Sequence, residues 1–205
     1  MIQKSRIIGN RKFNVKCDKS VELQADWLLG LLEEIEKQNG YLKNGCKIQI
    51  GWTIITIKEC NNEVTVLAPD YDTDPFVNMS DDLTISLLIQ LSQNYCLNRL
   101  QLEGEAALFR DKIVVAKGSI LSKSVYLERS KEVVAGDSGW YLGFVEESEQ
   151  PQELEAYYVY QLLKLRPSLL QALALPRGYL VVFNGDEIEA VLNEEDVDIW
   201  QETIT

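Results

Sequence analysis

Residues 46–69, "CKIQIGWTIITIKECNNEVTVLAP", decide how the first half of the chain folds. Ile48, Ile50, Trp52 and Ile54 alternate onto one face, and "NNEVTVLAP" returns after an Asn61-Asn62 turn, so the segment predicts a β-hairpin. On its N-terminal side, "SVELQADWLLGLLEEIEKQNG" repeats Leu23, Trp27, Leu28, Leu31, Leu32 and Ile35 at helical spacing. Ser20 is placed to cap that helix and Gly40 to end it. Ahead of the helix, "RKFNVKC" (11–17) alternates as a short strand.

On the C-terminal side, "APDYDTDPFVNMSDD" is rich in Pro and Asp and reads as a surface loop. Ser80, Asp81 and Asp82 suit a helix start. Leu83, Leu87, Leu88, Leu91 and Tyr95 then form one apolar stripe on a helix expected to run to about Leu102. The polar "QLEGEAALFRD" marks a boundary, giving two domains, 1–106 and 107–205. Beyond it, "KIVVAKGSI" and "KSVYLERS" read as strands around Gly118, and a third strand starts at Trp140 after a turn at Asp137, Ser138 and Gly139. "EESEQPQELE" reads as a loop and "AYYVYQLLKLRPSLLQALALP" as a helix broken before Pro167 or as two short ones. "GYLVVFNG" and "EIEAVLNE" close the second half, and "DVDIWQETIT" is an arm. The fold class is therefore α+β: two small mixed subdomains, each a largely antiparallel sheet packed by helices.

The 205 residues suffice for a core without disulfides, and their composition is that of an ordinary globular protein. Trp27, Trp52 and Trp140 lie on amphipathic elements and are expected in that core. Cys17, Cys46, Cys60 and Cys96 are irregularly spaced, and no apolar run reaches the length of a signal core or a membrane span. The expected location is cytoplasmic, with reduced thiols and no membrane partner.

"GDSG" at 136–139 also surrounds the nucleophile of chymotrypsin-like proteases, but a serine needs a base to take its proton, and the chain has no histidine. Trp140 stands where that motif usually has a second glycine. As turn chemistry the same residues are simple: Asp137 accepts from a backbone N–H two residues on, and Gly139 takes a positive φ. Without histidine or paired cysteines zinc is not expected, and "DYDTD" lacks the glycine and distal glutamate of an EF-hand calcium loop. No cofactor and no metal is assigned.

Net charge is −12, with 12 basic and 15 acidic side chains over residues 1–110 against 8 and 17 over residues 111–205. This field disfavours nucleic acid and steers toward basic partners. Candidate contact residues are the loop Asp70, Tyr71, Asp72 and Asp74, where acids flank a possible aromatic anchor, and the run Glu146, Glu147 and Glu149, followed by Glu153 and Glu155. Trp200, in an acidic tail, completes the set as an exposed anchor.

The order of segments over about 111–195 resembles the immunity protein thirty-three family of bacterial polymorphic toxin systems. The resemblance rests on Glu128-Arg129 at a strand end, on Asp137-Ser138-Gly139-Trp140, and on Leu175-Pro176-Arg177-Gly178 after the proline-containing helix. The first pair stands in reversed order, and "SKEVVAG" fills the gap before the turn. "QIGW" and "LAPDYDTDP" in the first half look like the extension found beside this domain in longer relatives. The resemblance implies a non-enzymatic protein that binds and neutralises a cognate protein toxin, and the acidic charge of this chain adds the expectation of a basic surface on that toxin. Competing readings are a hydrolase using Asp70, Asp72 and Asp74, and a general protein-interaction adaptor; oligomeric state is open.

Overall fold

In the computed structural model, residues 1–40, 42–146 and 151–200 are described. The chain divides into two compact units, Met1–Leu91 and Ser92–Thr205. The division falls inside a helix, upstream of the 106/107 boundary expected from the polar "QLEGEAALFRD".

Unit 1 opens with strands β1 (Ile2–Ile8) and β2 (Arg11–Cys17), then helix α1 (Glu22–Asn39). β3 (Lys47–Ile50), β4 (Thr53–Cys60), β5 (Glu63–Pro69) and the two-residue β6 (Met79–Ser80) follow. The sheet order is β1-β2-β5-β4-β3 with β6 beside β5, and only β2 and β5 run parallel. α1 lies against β1 and β2, and Phe13, Val15, Leu28, Leu29, Leu32, Ile55, Ile57, Val64 and Val66 make the core.

The hairpin at 46–69 is present but holds three strands. Gly51 adopts φ 54° and reverses the chain between β3 and β4, so Ile54 does not continue the face of Ile48 and Ile50. Thr53, Ile55 and Ile57 are the buried residues of β4. Two adjacent isoleucines let the alternation be read in either phase, and glycine was the sign of the reversal. β1 went unread because its inner face sets Lys4 and Arg6, paired with acids of α1, between Ile2 and Ile8, which breaks the apolar alternation. Gly40 ends α1 in the left-handed conformation, its N–H donating to the Glu36 carbonyl at 2.8 Å. The N-terminal cap is not Ser20: Asp18 Oδ1 accepts from Ser20 N–H at 2.9 Å and starts a 3₁₀ turn that leads into α1. Trp27 is 45% exposed, against expectation, because it shares the outer stripe of α1 with Leu23.

Helix α2 (Thr84–Leu100) is capped by Asp82, whose Oδ1 accepts from Thr84 N–H at 3.0 Å. Its expected single stripe splits: Leu83 and Leu87 are buried, while Leu88, Leu91 and Tyr95 are exposed.

Unit 2 carries β7 (Lys112–Ala116), β8 (Ser124–Arg129), β9 (Asp137–Phe144), β10 (Leu154–Tyr158), β11 (Leu180–Asn184) and β12 (Glu187–Leu192). Their order is β10-β7-β9-β8-β11-β12, antiparallel except for β7 beside β9. β10 replaces the loop and helix start expected at 154–158. Tyr157 and Tyr158 suit a strand, and pairing with β7 outweighs the helical spacing downstream. The remainder is two short pieces: α3 (Leu162–Leu165) and a 3₁₀ stretch Pro167–Ala172. Leu162, Leu169, Leu170, Leu173 and Leu175 from this segment are fully buried.

Candidate functional site

Three segments singled out from the sequence meet at one side chain in unit 2. Along β8, Val125, Leu127 and Arg129 alternate inward, so the strand's own period carries an arginine into the core, where it is 4% exposed. A guanidinium has five donors and no acceptor, and burial is tolerable only where oxygens surround it. Here Arg129 Nε donates to the Ser138 carbonyl at 3.3 Å, and NH1 donates to the carbonyls of Glu105 at 2.6 Å and of Leu175. Its own N–H donates to the Tyr179 carbonyl and its carbonyl accepts from Gly178 N–H, each at 2.9 Å. Burial pushes the guanidinium pKa down, and the Glu105 carboxylate, 3.9 Å away, opposes that shift. Glu105 also accepts from Arg177 at 2.8 Å.

The "DSGW" residues are the other wall. Asp137 Oδ1 accepts from Gly139 N–H at 2.8 Å, as expected, but the four residues do not form a free turn: they are the first residues of β9. Lys112 pairs with Asp137 and Val114 with Tyr141, so β9 bulges here, with Gly139 at φ 75°. Ser138 is buried and spends its hydroxyl on the Lys112 carbonyl at 2.7 Å, which leaves it nothing resembling a nucleophile's role. Trp140, also buried, donates from Nε1 to the Leu173 carbonyl at 3.2 Å. Arg129 lies against its ring, 5.6 Å from the centroid.

A second buried arginine, Arg166, was missed. It is 7% exposed and donates to the carbonyls of Ile120, Ser122, Lys123 and Gly185. Its acceptors come from segments 120–123 and 185, far from it in sequence, so no local signal marked it.

The expected contact residues are dispersed. Tyr71 is a core ring, 5% exposed, stacked on Trp52 at 4.8 Å and bonded through its hydroxyl to Thr53 at 2.8 Å, so it cannot anchor a partner. Burial pushes its pKa up to about 12. Asp70 accepts from Asp72 N–H and the Thr73 hydroxyl, and Asp74 from Phe76 N–H, so their carboxylates build the loop. Asp70 and Asp72 line a cleft of about 40 Å³, and Asp70 also borders one of about 510 Å³ with Lys58, Met79 and Asp81.

Glu146 is exposed, while Glu147 and Glu149 lie outside the described residues. Glu153 pairs with Lys117 at 2.5 Å, and Glu155 accepts from the Tyr157 hydroxyl at 2.6 Å. Trp200 is not a free exposed anchor: the Arg99 guanidinium lies 3.6 Å from its ring centroid, and Ile199 N–H donates to the Val191 carbonyl. Among the described residues no group of three or more His, Cys, Asp or Glu is placed to hold a metal ion, and no helix is long and apolar enough to cross a membrane.

The burial of two arginines sharpens the charge argument. Residues 92–205 hold 19 acidic and 10 basic side chains, and two of those ten face inward. What unit 2 shows to solvent is more acidic than its sequence total.

The sequence model of the Imm33-like domain matches residues 92–202, more than half of the chain. The chain belongs to the Imm33-like family. The match begins at Ser92, the first residue of unit 2, so the Imm33-like domain and the structural unit share their N-terminal limit. The match is consistent with the immunity protein thirty-three family that the sequence resembles in its C-terminal half. No curated protein and no solved structure matches the chain.

Proposed function

We propose that this protein is a cytoplasmic immunity protein that binds a cognate bacterial toxin and blocks its active or binding surface. The observation that carries this reading is the coincidence of the Imm33-like match with unit 2, whose motifs converge on Arg129. Those motif residues hold the fold, which is compatible with a stoichiometric inhibitor. The acidic exterior supports a toxin with a basic face, since opposite charge speeds encounter. The hydrolase alternative would need two free carboxylates in a cleft, and Asp70 and Asp74 are engaged in loop hydrogen bonds.

The test is co-expression with the product of the neighbouring open reading frame, followed by size-exclusion chromatography and titration calorimetry. A one-to-one complex of nanomolar or tighter affinity, weakened by salt, is the expected result. Absence of any complex at micromolar concentration, with the host unprotected, would overturn the proposal.

A further inference from the structure

The face of the unit 2 sheet that carries Trp140 and Arg129 is bonded to the buried segment at 173–175. On the opposite face the Tyr141 hydroxyl donates to Gln152 Oε1 at 3.4 Å. Strand register sets Val114, Tyr141, Glu128 and Leu180 in one row across β7, β9, β8 and β11, with Tyr126 and Val182 in the next. All are half-buried except Glu128, which is exposed.

This face is built flat. Gly143, opposite Tyr126 in the register, has no side chain, and a Cβ there would lie 2.6 Å from the Tyr126 ring. Tyr126 therefore lies down across β9, 5.8 Å from Tyr141 and tilted 60° to it. Flat, pre-placed tyrosines lose little entropy on binding and are favoured anchors in protein interfaces.

Glu128, opposite Tyr141 and two residues along β8 from Tyr126, has no ion pair among the described residues; what sets it apart from the other exposed acids of unit 2 is the pair of rings beside it. A second copy of the chain is a poor occupant, because a two-fold contact centred here brings each central carboxylate against its equivalent. A cation suits the place twice over, meeting a carboxylate and the faces of tyrosines.

We infer that this face is where the toxin docks, with an arginine or lysine of the toxin paired with Glu128 beside the packed rings of Tyr126 and Tyr141. The inference rests on the immunity reading and adds the surface and the chemistry of the contact. Lys112, over Tyr158 at 5.9 Å, marks the rim.

The experiment titrates the partner captured in that co-expression with the full chain and three variants: Glu128→Lys, Tyr126→Ala, and Glu195→Lys as an exposed acid of unit 2 elsewhere in the unit. Thermal melts establish folding, and Glu128→Lys, altering an exposed side chain, carries the test if Tyr126→Ala unfolds. The expected result is a Kd raised at least about 30-fold for Glu128→Lys and Tyr126→Ala, as for interface hot spots, and changed less than about threefold for Glu195→Lys. Wild-type affinity in folded Glu128→Lys overturns the docking face and leaves immunity standing. Equal weakening by Glu195→Lys overturns the specific seat. A wild-type self-dimer dissolved by Tyr126→Ala assigns the face to a second copy. If wild type itself fails to bind, the immunity reading falls and this inference with it.

Discussion

Arg129 and Leu175 lie 46 residues apart, yet the buried guanidinium of one donates to the main-chain carbonyl of the other. That bond ties the end of β8 to the motif following the proline-containing segment. Arg129→Met is predicted to leave the carbonyls of Ser138, Glu105 and Leu175 without this donor, and to cost about 3–5 kcal/mol, as for removal of one partner from a buried charged network. Arg129→Lys should recover only part of it, because an ammonium cannot reproduce the planar fork. Glu105→Gln, at a partly exposed carboxylate 3.9 Å away, should cost under about 1 kcal/mol. Urea unfolding measures all three, and equal losses for Met and Gln would show that the ion pair, not the carbonyl cage, is what matters.

Gly139 offers a test that separates backbone strain from crowding. It sits at φ 75°, and an added Cβ would lie 2.5 Å from Val133 Cγ2. Gly139→Ala is predicted to destabilise by about 1–3 kcal/mol. In Gly139→Ala/Val133→Ala the clash is relieved while the φ penalty stays, so stability should return in part. Complete return would mean that the left-handed conformation costs alanine nothing here.

How much of this was legible depended on whether the signal was local. Gly40 as a helix stop, the Asp137-to-Gly139 hydrogen bond and the two short helical pieces around Pro167 could be read because each is decided within a few residues. β10 could not, because its strand state comes from β7, some 40 residues earlier in the chain. Tyr71 looked like a surface anchor because its neighbours are acids, but a ring's burial is decided by what it stacks on, here Trp52. The same holds for Arg129: its inward position follows from the alternation of Val125 and Leu127, while the carbonyls that make burial tolerable come from distant segments.

The four cysteines should separate by burial. Cys17 and Cys96 are buried, and burial pushes both thiols up in pKa, Cys96 to about 11; Cys60 is exposed and Cys46 intermediate. At pH 8 a disulfide reagent is predicted to modify Cys60 first and Cys46 more slowly, with Cys17 and Cys96 reacting only on unfolding. Rapid labelling of all four in the native protein would contradict the burial of Cys17 and Cys96.

Tyr71 should make stability fall at alkaline pH. Its folded pKa is about 12 against the ordinary 10.0, because burial disfavours the phenolate. Between these values the unfolded chain has released the proton that the native chain still holds, so stability is fully present below about pH 10 and declines as pH rises. The decline from this group is about 1.4 kcal/mol per pH unit at most, and it levels off once the native tyrosine also ionises. Tyr126 and Tyr179, whose pKa values burial also raises, contribute in the same direction, so the comparison must be with Tyr71→Phe, which keeps them. At pH 7 Tyr71→Phe should cost about 1 kcal/mol for the lost bond to Thr53, and by pH 11 the difference from wild type should shrink or reverse. Parallel stability curves for the two proteins from pH 8 to 11.5 would show that the ring reaches solvent and titrates normally.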